Sequence, residues 1–397
     1  MNKHANIYDV TLITTTSLKK KLVQFRENII KKQCFLGWDG YVDSLYSIVR
    51  SRDGINDWSR MESMKEFGEM IQQVAGSSAG LEGVLKRKTL GGFTSNICKG
   101  MNALGAHINL ISAWGFPEID DLFISLADRD SVKVFSYINP GKTIGLEFSD
   151  GKIMITDFGK ILNLNWQLLI ERVSVEKIVN NIETSHLMGF GYWAPIPNFD
   201  NIMQHLLEEI FPSVSNLKDK LCFIDLADIK KRNKKDINKM VKILKNLDEQ
   251  VPLLLSLNDQ EAIDLSKALN SVKDINIKKD NLNSFVNGGK ILNDELNIAY
   301  LVIHSPHFSS ISTQESHYWI TQCFTSNPQF TTSAGDHFNA GTALGLSCNL
   351  TPPESIMVGN ALTSIFIRTG ISPTFEKLSG FIHRYEEYLE EDIPNFP

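Results

Sequence analysis

The stretch TTSAGDHFNAGTALGL, from Thr331 to Leu346, is the most informative part of this sequence. Three small residues, Ser333, Ala334 and Gly335, lead into a segment whose apolar positions predict a helix. The backbone N–H groups of such a turn point at one place near the positive end of the helix dipole, where an anion is favoured. Asp336 adds a carboxylate that can orient and deprotonate an attacking hydroxyl. The alternative is that Ser333 or Asp336 simply caps the helix.

Strand and helix patterns alternate along the chain. Apolar runs rich in β-branched and aromatic residues predict strands near 34–36, 108–113, 132–137, 186–188, 221–225, 252–257 and 299–304. Apolar residues at helical spacing predict helices over 17–32, 95–104, 200–210, 236–247, 260–269, 335–346 and 354–368. This alternation indicates an α/β fold, with a mostly parallel sheet covered by helices on both faces. Ligands of such sheets lie at the carboxyl ends of the strands.

One segment departs from the alternation. The sequence KTIGLEFSDGKIMITDF at 142–158 reads as two strands around the turn at 149–151, which predicts a hairpin. Together with 132–137 it predicts a small antiparallel sheet, a lid at about 130–160, with a plain edge hairpin as the alternative. Residues 50–90 show no clear strand, and we expect an insertion with a flexible part there.

The composition is that of an ordinary globular protein. The chain has 397 residues, 42% of them hydrophobic, and 40 basic against 46 acidic residues give a formal net charge of −6. The acidic balance argues against nucleic acid and anionic membranes as partners. The five cysteines form no C-x-x-C pair, and we find neither signal-peptide order nor an apolar run of membrane-spanning length. We therefore expect a cytoplasmic protein.

Three further motifs place polar residues where a strand ends or a helix begins. They are GWDGYVDS at 37–44, GGFTSNICKGMNALGA at 91–106 and LLLSLNDQEA at 253–262. Asp39 and Asp43 follow the first predicted strand, and a pair of surface loop carboxylates would also explain them. Gly91 and Gly92 precede a helix with Asn96 in its first turn, and a tight turn with a local hydrogen bond is the alternative there.

The four motifs together resemble those of the PfkB/ribokinase family of sugar and nucleoside kinases, whose usual C-terminal signature is D-T-x-G-A-G-D. The resemblance covers roughly residues 34–370 and keeps the family's motif order. It implies one ribokinase-like α/β domain over 1–397 with a small β lid. It also implies that Asp336 is the catalytic base and that Ser333 to Gly335 form the anion hole for the transferred phosphoryl group. The family's first Asp falls on Phe330 in this chain, so the monovalent-cation site that this carboxylate commonly supports is not implied here.

The resemblance implies binding roles for the other motifs as well. The residues that would hold the acceptor are Asp43 or, as second choice, Asp39, together with Gly91, Gly92 and Asn96. Asn258 and Glu261 match the family's N-x-x-E, which helps to position magnesium and the nucleotide phosphates, although the same pair can form a capping box. Asn360 would lie near the adenine. His304 ends the strand that leads to the nucleotide pocket and is either a nucleotide contact or a structural residue.

We therefore expect a magnesium-dependent kinase that transfers the γ-phosphoryl group of ATP to a hydroxyl of a sugar, nucleoside or related small polyol. Asp336 is expected to be a weak base, because the dipole of the adjacent helix favours the carboxylate. One alternative is a ligand-binding protein of the same fold without catalysis. Another is a sugar kinase that uses ADP as donor. The altered nucleotide pocket and the G-x-x-x-x-V-D start at 37–43 distantly resemble the corresponding features of ADP-dependent sugar kinases. A homodimer that pairs through the lid is also possible on this reading.

Overall fold

Strands and helices alternate over most of the computed structural model, which describes residues 7–269 and 282–396. The strands are β1 (Gln33–Trp38), β2 (Tyr41–Arg52), β3 (Trp58–Arg60), β4 (Gly83–Gly91), β5 (His107–Ser112), β6 (Val132–Ser136), β7 (Gly141–Phe148), β8 (Gly151–Asp157), β9 (Leu187–Gly191), β10 (Leu221–Asp225), β11 (Leu253–Asn258), β12 (Tyr300–His304), β13 (Phe308–Ser312) and β14 (His317–Thr321). The helices are α1 (Ile7–Ile29), α2 (Met64–Gln73), α3 (Phe93–Ala103), α4 (Asp121–Ala127), α5 (Trp166–Arg172), α6 (Val175–Thr184), α7 (Phe199–His205), α8 (Lys234–Gln250), α9 (Asp259–Leu269), α10 (Leu282–Leu296), α11 (Ala334–Ser347), α12 (Pro352–Thr369), α13 (Phe375–His383) and α14 (Tyr385–Glu390).

A nine-stranded sheet forms the centre of the molecule, in the order β14-β13-β12-β11-β10-β9-β1-β5-β6. The seven strands from β12 to β6 pair in parallel, whereas β13 and β14 are antiparallel. A large buried apolar cluster covers each face of this sheet. The predicted α/β architecture is therefore confirmed. Strand β13 was not predicted because its sequence, FSSIS, is rich in serine, although all five residues are buried.

The first helix begins ten residues before its predicted start. Residues 7–16 hold several threonines, which have low helix propensity. Thr11, Thr14 and Thr15 are nevertheless buried, and their hydroxyls donate to carbonyl oxygens four residues earlier at 2.7–2.8 Å. The Thr11 hydroxyl also accepts a bond from the Thr321 N–H, so tertiary packing on β14 stabilises this end of the helix.

A second, five-stranded sheet forms the lid, in the order β3-β2-β7-β8, and β4 also pairs with β2. This corrects two predictions. Residues 50–90 contain β3, α2 and β4 rather than a strandless insertion, and β6, expected in the lid, pairs with β5 in the main sheet. Strand β4 (GVLKRKTLG) was overlooked because it is largely exposed and carries three cations, a common feature of edge strands.

The N-terminus of α11 is held in place by close contacts between helices. Glycine lets these helices approach: a Cβ on Gly341 would lie 2.9 Å from the Gly359 Cα on α12, and one on Gly100 of α3 would lie 2.9 Å from the Ala340 Cβ. This packing holds α11 across the central strands, so that its first turn lies beside the carboxyl ends of β10, β11 and β12. Within the described residues, no helix is both long and apolar enough to span a membrane.

Candidate active site

The first turn of α11 is the centre of the site. Ser333 precedes it in the left-handed conformation (φ 68°), and the helix begins at Ala334. Gly335 faces the His304 ring, where an added Cβ would lie 3.4 Å from Cε1. Three cavities meet here: Ser333 and Asp336 line two of them, and Ala334 and Gly335 line the third. The structure thus brings the predicted anion hole and the predicted base together.

Asp336 is a buried carboxylate with two side-chain donors. Tyr192, which follows β9, donates its hydroxyl to Oδ1 at 2.6 Å, and the Asn96 amide of α3 donates to Oδ2 at 2.9 Å. Burial raises the pKa of Asp336 to about 6, although both hydrogen bonds and the nearby Lys99 act in the opposite direction. The expectation that the helix dipole makes Asp336 a weak base was wrong, because the cost of desolvating the carboxylate is larger.

One cavity, of about 260 Å³, lies between the lid and α11. We call it the lid cavity; its polar walls include Asp43, Asn96, Thr143, Tyr192, Lys231 and Asp336. Asp43 is 8% exposed, and burial raises its pKa. Gly91 leaves room for it, since a Cβ there would lie 2.1 Å from Asp43 Oδ2. Gly92, with φ 91°, precedes α3 and lines the cavity itself.

The Asp39 carboxylate has a structural position instead. It is fully buried, and its two oxygens accept bonds from the backbone N–H groups of Phe93 and Thr94 at 3.0 Å. These groups begin α3, so Asp39 holds the start of that helix. Asp39 does not line the lid cavity, which corrects its prediction as a second-choice acceptor ligand.

Acidic and amide side chains line a second cavity of about 250 Å³, the acidic cavity, which contains Asp225, Asn258, Glu261, Asp336 and Asn339. Asn258 and Glu261 form the predicted capping box: each backbone N–H donates to the other side chain at 2.9 Å. Burial and the neighbouring Asp336 raise the pKa of Asp225 to about 7, and burial also raises that of Glu261.

Asp225 was missed as a site residue, although it ends a predicted strand. Its Oδ2 accepts a bond from the Asn339 amide at 3.1 Å, and Asn339 Oδ1 accepts one from Ser256 at 2.6 Å. The signal that could have identified Asp225 is its position at the carboxyl end of β10, where the ligands of parallel sheets bind. Two further residues of the lid cavity were missed: Tyr192, which follows β9, and Lys231.

A third cavity, of about 670 Å³, has mostly apolar walls. We call it the apolar cavity; Asn258, His304, Pro306, Phe338, Thr363 and Ile367 are among its lining residues. The His304 ring lies 4.6 Å from the Phe338 ring, and burial lowers the pKa of His304 to about 4, so the ring is neutral near pH 7. Asn360 does not line this cavity. It lies on the buried side of α12, where its amide donates to the Tyr385 hydroxyl at 3.1 Å. This corrects its predicted place beside the nucleotide.

Phe330, at the position of the family's first Asp, packs against the end of α12. A Cβ on Gly370 would lie 2.4 Å from its ring, and the Arg87 guanidinium lies 4.7 Å from the ring centroid. An aromatic ring and a fixed cation therefore stand where the family signature has a carboxylate.

The lid touches the α11 turn through Lys152. Its ammonium donates to the Thr332 hydroxyl at 2.8 Å and lies 3.1 Å from Glu147 Oε1. Glu147 is itself buried in the lid and also pairs with Lys86 and Arg87. The lid of this structure is thus in contact with the site.

Comparison with known proteins identifies the family. The model of the prokaryotic ketohexokinases matches residues 11–385. The chain belongs to this family. A ketohexokinase of Haloferax volcanii is 27% identical over 366 residues, which cover 92% of this chain and 94% of the relative. Members of the prokaryotic ketohexokinase family are kinases, so the predicted phosphotransferase acting on a sugar hydroxyl, with ATP as donor, is confirmed.

Solved structures confirm the ribokinase-like fold of this ketohexokinase-family chain. An adenosine kinase from Sinorhizobium meliloti superposes with a TM-score of 0.62 at 15% identity, covering 89% of this chain and 99% of that one. An Arabidopsis thaliana ribokinase complexed with ribose and ATP gives 0.61 at 14% identity, covering 88% and 98%. At such identities the likeness concerns the fold alone. Neither a protein that only binds ligand nor an ADP-dependent kinase is among these relatives.

Proposed function

We propose that this enzyme phosphorylates a ketohexose, with Asp336 as the base that accepts the proton of the attacking hydroxyl. The observation that carries the proposal is the position of this carboxylate, buried where the lid cavity and the acidic cavity meet. The ketohexokinase of Haloferax volcanii supports the choice of sugar. The lid cavity, at about 260 Å³, suits a small polyol better than a nucleoside.

The acceptor would be oriented by side chains on both sides of the lid cavity. Asp43, on the lid strand β2, and Asn96, on α3, offer an acceptor and a donor to sugar hydroxyls. In the transfer, the hydroxyl oxygen bonds to the γ-phosphorus, the bond to the leaving ADP breaks, and the hydroxyl proton passes to Asp336. The backbone N–H groups of Ser333, Ala334 and Gly335, at the positive end of α11, would stabilise charge on the transferring group.

ATP would lie in the apolar cavity, with its phosphates directed toward the α11 turn. Phe338 and Ile367 offer apolar surface to the adenine. The polar residue that α12 contributes to this cavity is Thr363, in place of Asn360. Ala334 and Gly335 line both this cavity and the acidic one. The cavity volume of about 670 Å³ suits a ligand of nucleoside size.

The acidic cavity fits the predicted magnesium ion. Asp225, Glu261 and Asn258 present oxygen donors there, and burial raises the pKa of both carboxyls, so a nearby cation would stabilise their charged forms. Within the described residues no group of three or more acidic, histidine or cysteine side chains forms a complete ligand set. These residues would therefore act through water and the nucleotide phosphates. When bound, the metal would offset phosphate charge.

The substitution Asp336→Asn tests the proposed role of this residue. We expect kcat to fall by roughly 10²–10⁴-fold, because proton acceptance is lost while the shape of the site is kept. Affinity for an ATP analogue, measured by calorimetry, should stay within about twofold, since the apolar cavity is unchanged. Asp130→Asn, at an exposed position, is the matched control. Near-wild-type turnover of Asp336→Asn would reject the assignment.

We also propose that the lid pairs two copies of this chain. Ile144 and Ile155 lie opposite each other on β7 and β8 and are 46% and 56% exposed, an unusual burden of apolar surface for adjacent strand positions. Ile155→Lys should convert a dimer to a monomer in light scattering. A monomeric wild-type protein at micromolar concentration would contradict the pairing.

A cytoplasmic location is proposed from the cysteines. All five are free and buried, which suits a compartment that keeps thiols reduced. Recovery of activity mainly outside the cytoplasmic fraction of the source cells would contradict it.

A further inference from the structure

A fourth cavity, of about 530 Å³, adjoins the lid cavity and shares Asp43, Thr332 and Ser333 with it. We call it the basic cavity. It lies among the lid strand β4, helices α3 and α4, and the segment between α12 and α13. Neither the acceptor nor the nucleotide proposed above occupies it.

Three cations line the basic cavity: Arg87 from the lid, Lys99 from α3 and Arg129 after α4. Arg87 is paired with Glu147 at 3.1 Å. Lys99 donates to the Leu90 carbonyl at 3.1 Å, and Arg129 donates to the Asn102 side chain at 3.0 Å. Neither of these two cations forms an ion pair with a carboxylate of the described residues, and the three cations outnumber the carboxylate in the lining, Asp43.

Neutral donors extend this cationic wall. Hydroxyl groups of Ser125, Thr332 and Ser372 line the cavity, as does Thr374, which caps the N-terminus of the nine-residue helix α13. A helix N-terminus adds positive potential to that of the side chains. The carboxylate in the lining is Asp43, at the boundary with the lid cavity.

The remaining wall is apolar, and it indicates what kind of anion fits. Leu90, Leu126, Phe330 and Phe366 line the cavity, whose volume is several times that of an inorganic phosphate ion. A ligand that matches both walls carries a compact dianion and an organic part.

We propose that the basic cavity binds the phosphate monoester of a small organic molecule, at a second anion site distinct from the α11 turn. Such a ligand would contact Arg87 on the lid and Arg129 on the core at once. Occupancy would therefore hold the lid against the core and affect lid opening without touching Asp336.

Lys99 gives this site a pH dependence. Burial lowers the pKa of Lys99 to about 8, although Asp43 on β2, Asp336 on α11 and Cys98 on α3 oppose the shift. A bound dianion favours the charged ammonium. Affinity should consequently fall as the pH rises through about 8, where the ligand's own phosphate is already fully ionised.

Calorimetric titration tests the proposal with inorganic phosphate, fructose 1-phosphate and fructose 6-phosphate as probes. Each titration is run on the full chain with magnesium and a non-hydrolysable ATP analogue, which keeps phosphate out of the α11 turn. Arg129→Gln and Lys99→Met should each weaken ester binding by roughly tenfold or more, because each removes a charge-assisted hydrogen bond. Lys99→Met should also abolish the dependence on pH near 8. Arg172→Gln, an exposed arginine stacked on Phe116 away from this cavity, is the control.

Several results would overturn the proposal. Unchanged affinity in both Arg129→Gln and Lys99→Met, or no binding of any probe at millimolar concentration, removes the site. Inorganic phosphate that binds as tightly as the esters shows the ester assignment to be wrong. All of these are binding results, so they do not depend on whether Asp336 is the base.

Discussion

Burial of the Asp336 carboxylate raises its pKa and lowers the stability of the fold. A carboxylate 5% exposed, whose side-chain donors among the described residues are a phenol and an amide, is poorly solvated, and its pKa is raised to about 6. A base with this pKa is still ionised at neutral pH yet accepts a proton more readily than an exposed aspartate. The folded protein carries the cost of keeping that charge out of water.

This cost predicts a pH-dependent stability difference for Asp336→Asn. Because the folded pKa lies above the unfolded value, the carboxylate destabilises the fold increasingly as the pH rises from about 4 to 6, and fully above that. The variant should gain roughly 1–3 kcal/mol in free energy of unfolding at pH 7.5 and little at pH 4. Urea titrations at the two pH values measure the difference. An equal loss of stability at both would contradict the assigned burial cost.

Site residues could be predicted from the sequence where their position at the end of a strand or the start of a helix alone places them in the site. Asp43, Asn96, Asn258 and Asp336 follow a strand or begin a helix, so the sheet brings them to one edge whatever the packing details. Asp39 has the same kind of position, yet its carboxylate turns toward the α3 amides. Three residues separate it from Asp43, and only the path of the chain through Gly40 decides which carboxylate reaches the cavity.

At the scale of elements, the lid was the least predictable part. Its strands β2 and β4 pair across thirty residues of intervening chain, and local alternation does not reveal such pairing. Helix α2 was not predicted, for a related reason: its apolar side acquires a partner only when Phe67 packs on Phe148 of the lid, with ring centroids 5.4 Å apart. The hairpin of β7 and β8 was predicted because its turn is local.

Lys152 makes the lid's contact with the catalytic turn testable. Lys152→Met removes the hydrogen bond to Thr332 and the ion pair with Glu147 while keeping the side-chain volume. We expect kcat/KM for the sugar to fall roughly tenfold, since one charge-assisted hydrogen bond is lost. The ratio of ADP to sugar phosphate should also rise as water enters.

Lys142→Met, at an exposed position of β7, serves as the comparison for Lys152→Met. If both variants keep wild-type coupling of ADP release to sugar phosphorylation, the Lys152 contact does not control the lid.

At the scale of the whole molecule, the two ends of the chain pack together. Helix α1 lies against α12, α13 and β14, and the buried Glu354 of α12 connects them. Its carboxylate accepts bonds from the Ser17 hydroxyl at 2.7 Å and from Lys21 at 2.8 Å. The N-terminal residues, for which the family resemblance implied nothing, are therefore part of the packed structure from residue 7 onward. That residues 1–397 form a single domain stays a prediction.

Glu354→Ala should show how much this closure contributes. The loss leaves three partly buried donors without their acceptor, counting the Thr351 N–H, so we expect a decrease of about 2 kcal/mol in free energy of unfolding. Glu386→Ala, which removes an exposed pair with Lys19 between the same regions, should cost only about 0.5 kcal/mol. Denaturant unfolding measures both. Similar losses in the two variants would mean that burial of Glu354 does not matter.

Strand β2 begins three residues after β1 ends, and it carries Asp43 into the lid while Asp39 stays fastened to α3. The group proposed to hold the sugar thus belongs to the lid. A sugar that binds Asp43 would pull strand β2, and the lid with it, toward the core before the nucleotide binds. We therefore expect a compulsory order of addition, with the sugar first and the nucleotide second. Hydrolysis of the nucleotide without transfer to the sugar would then be rare, because Asp43 is part of the lid.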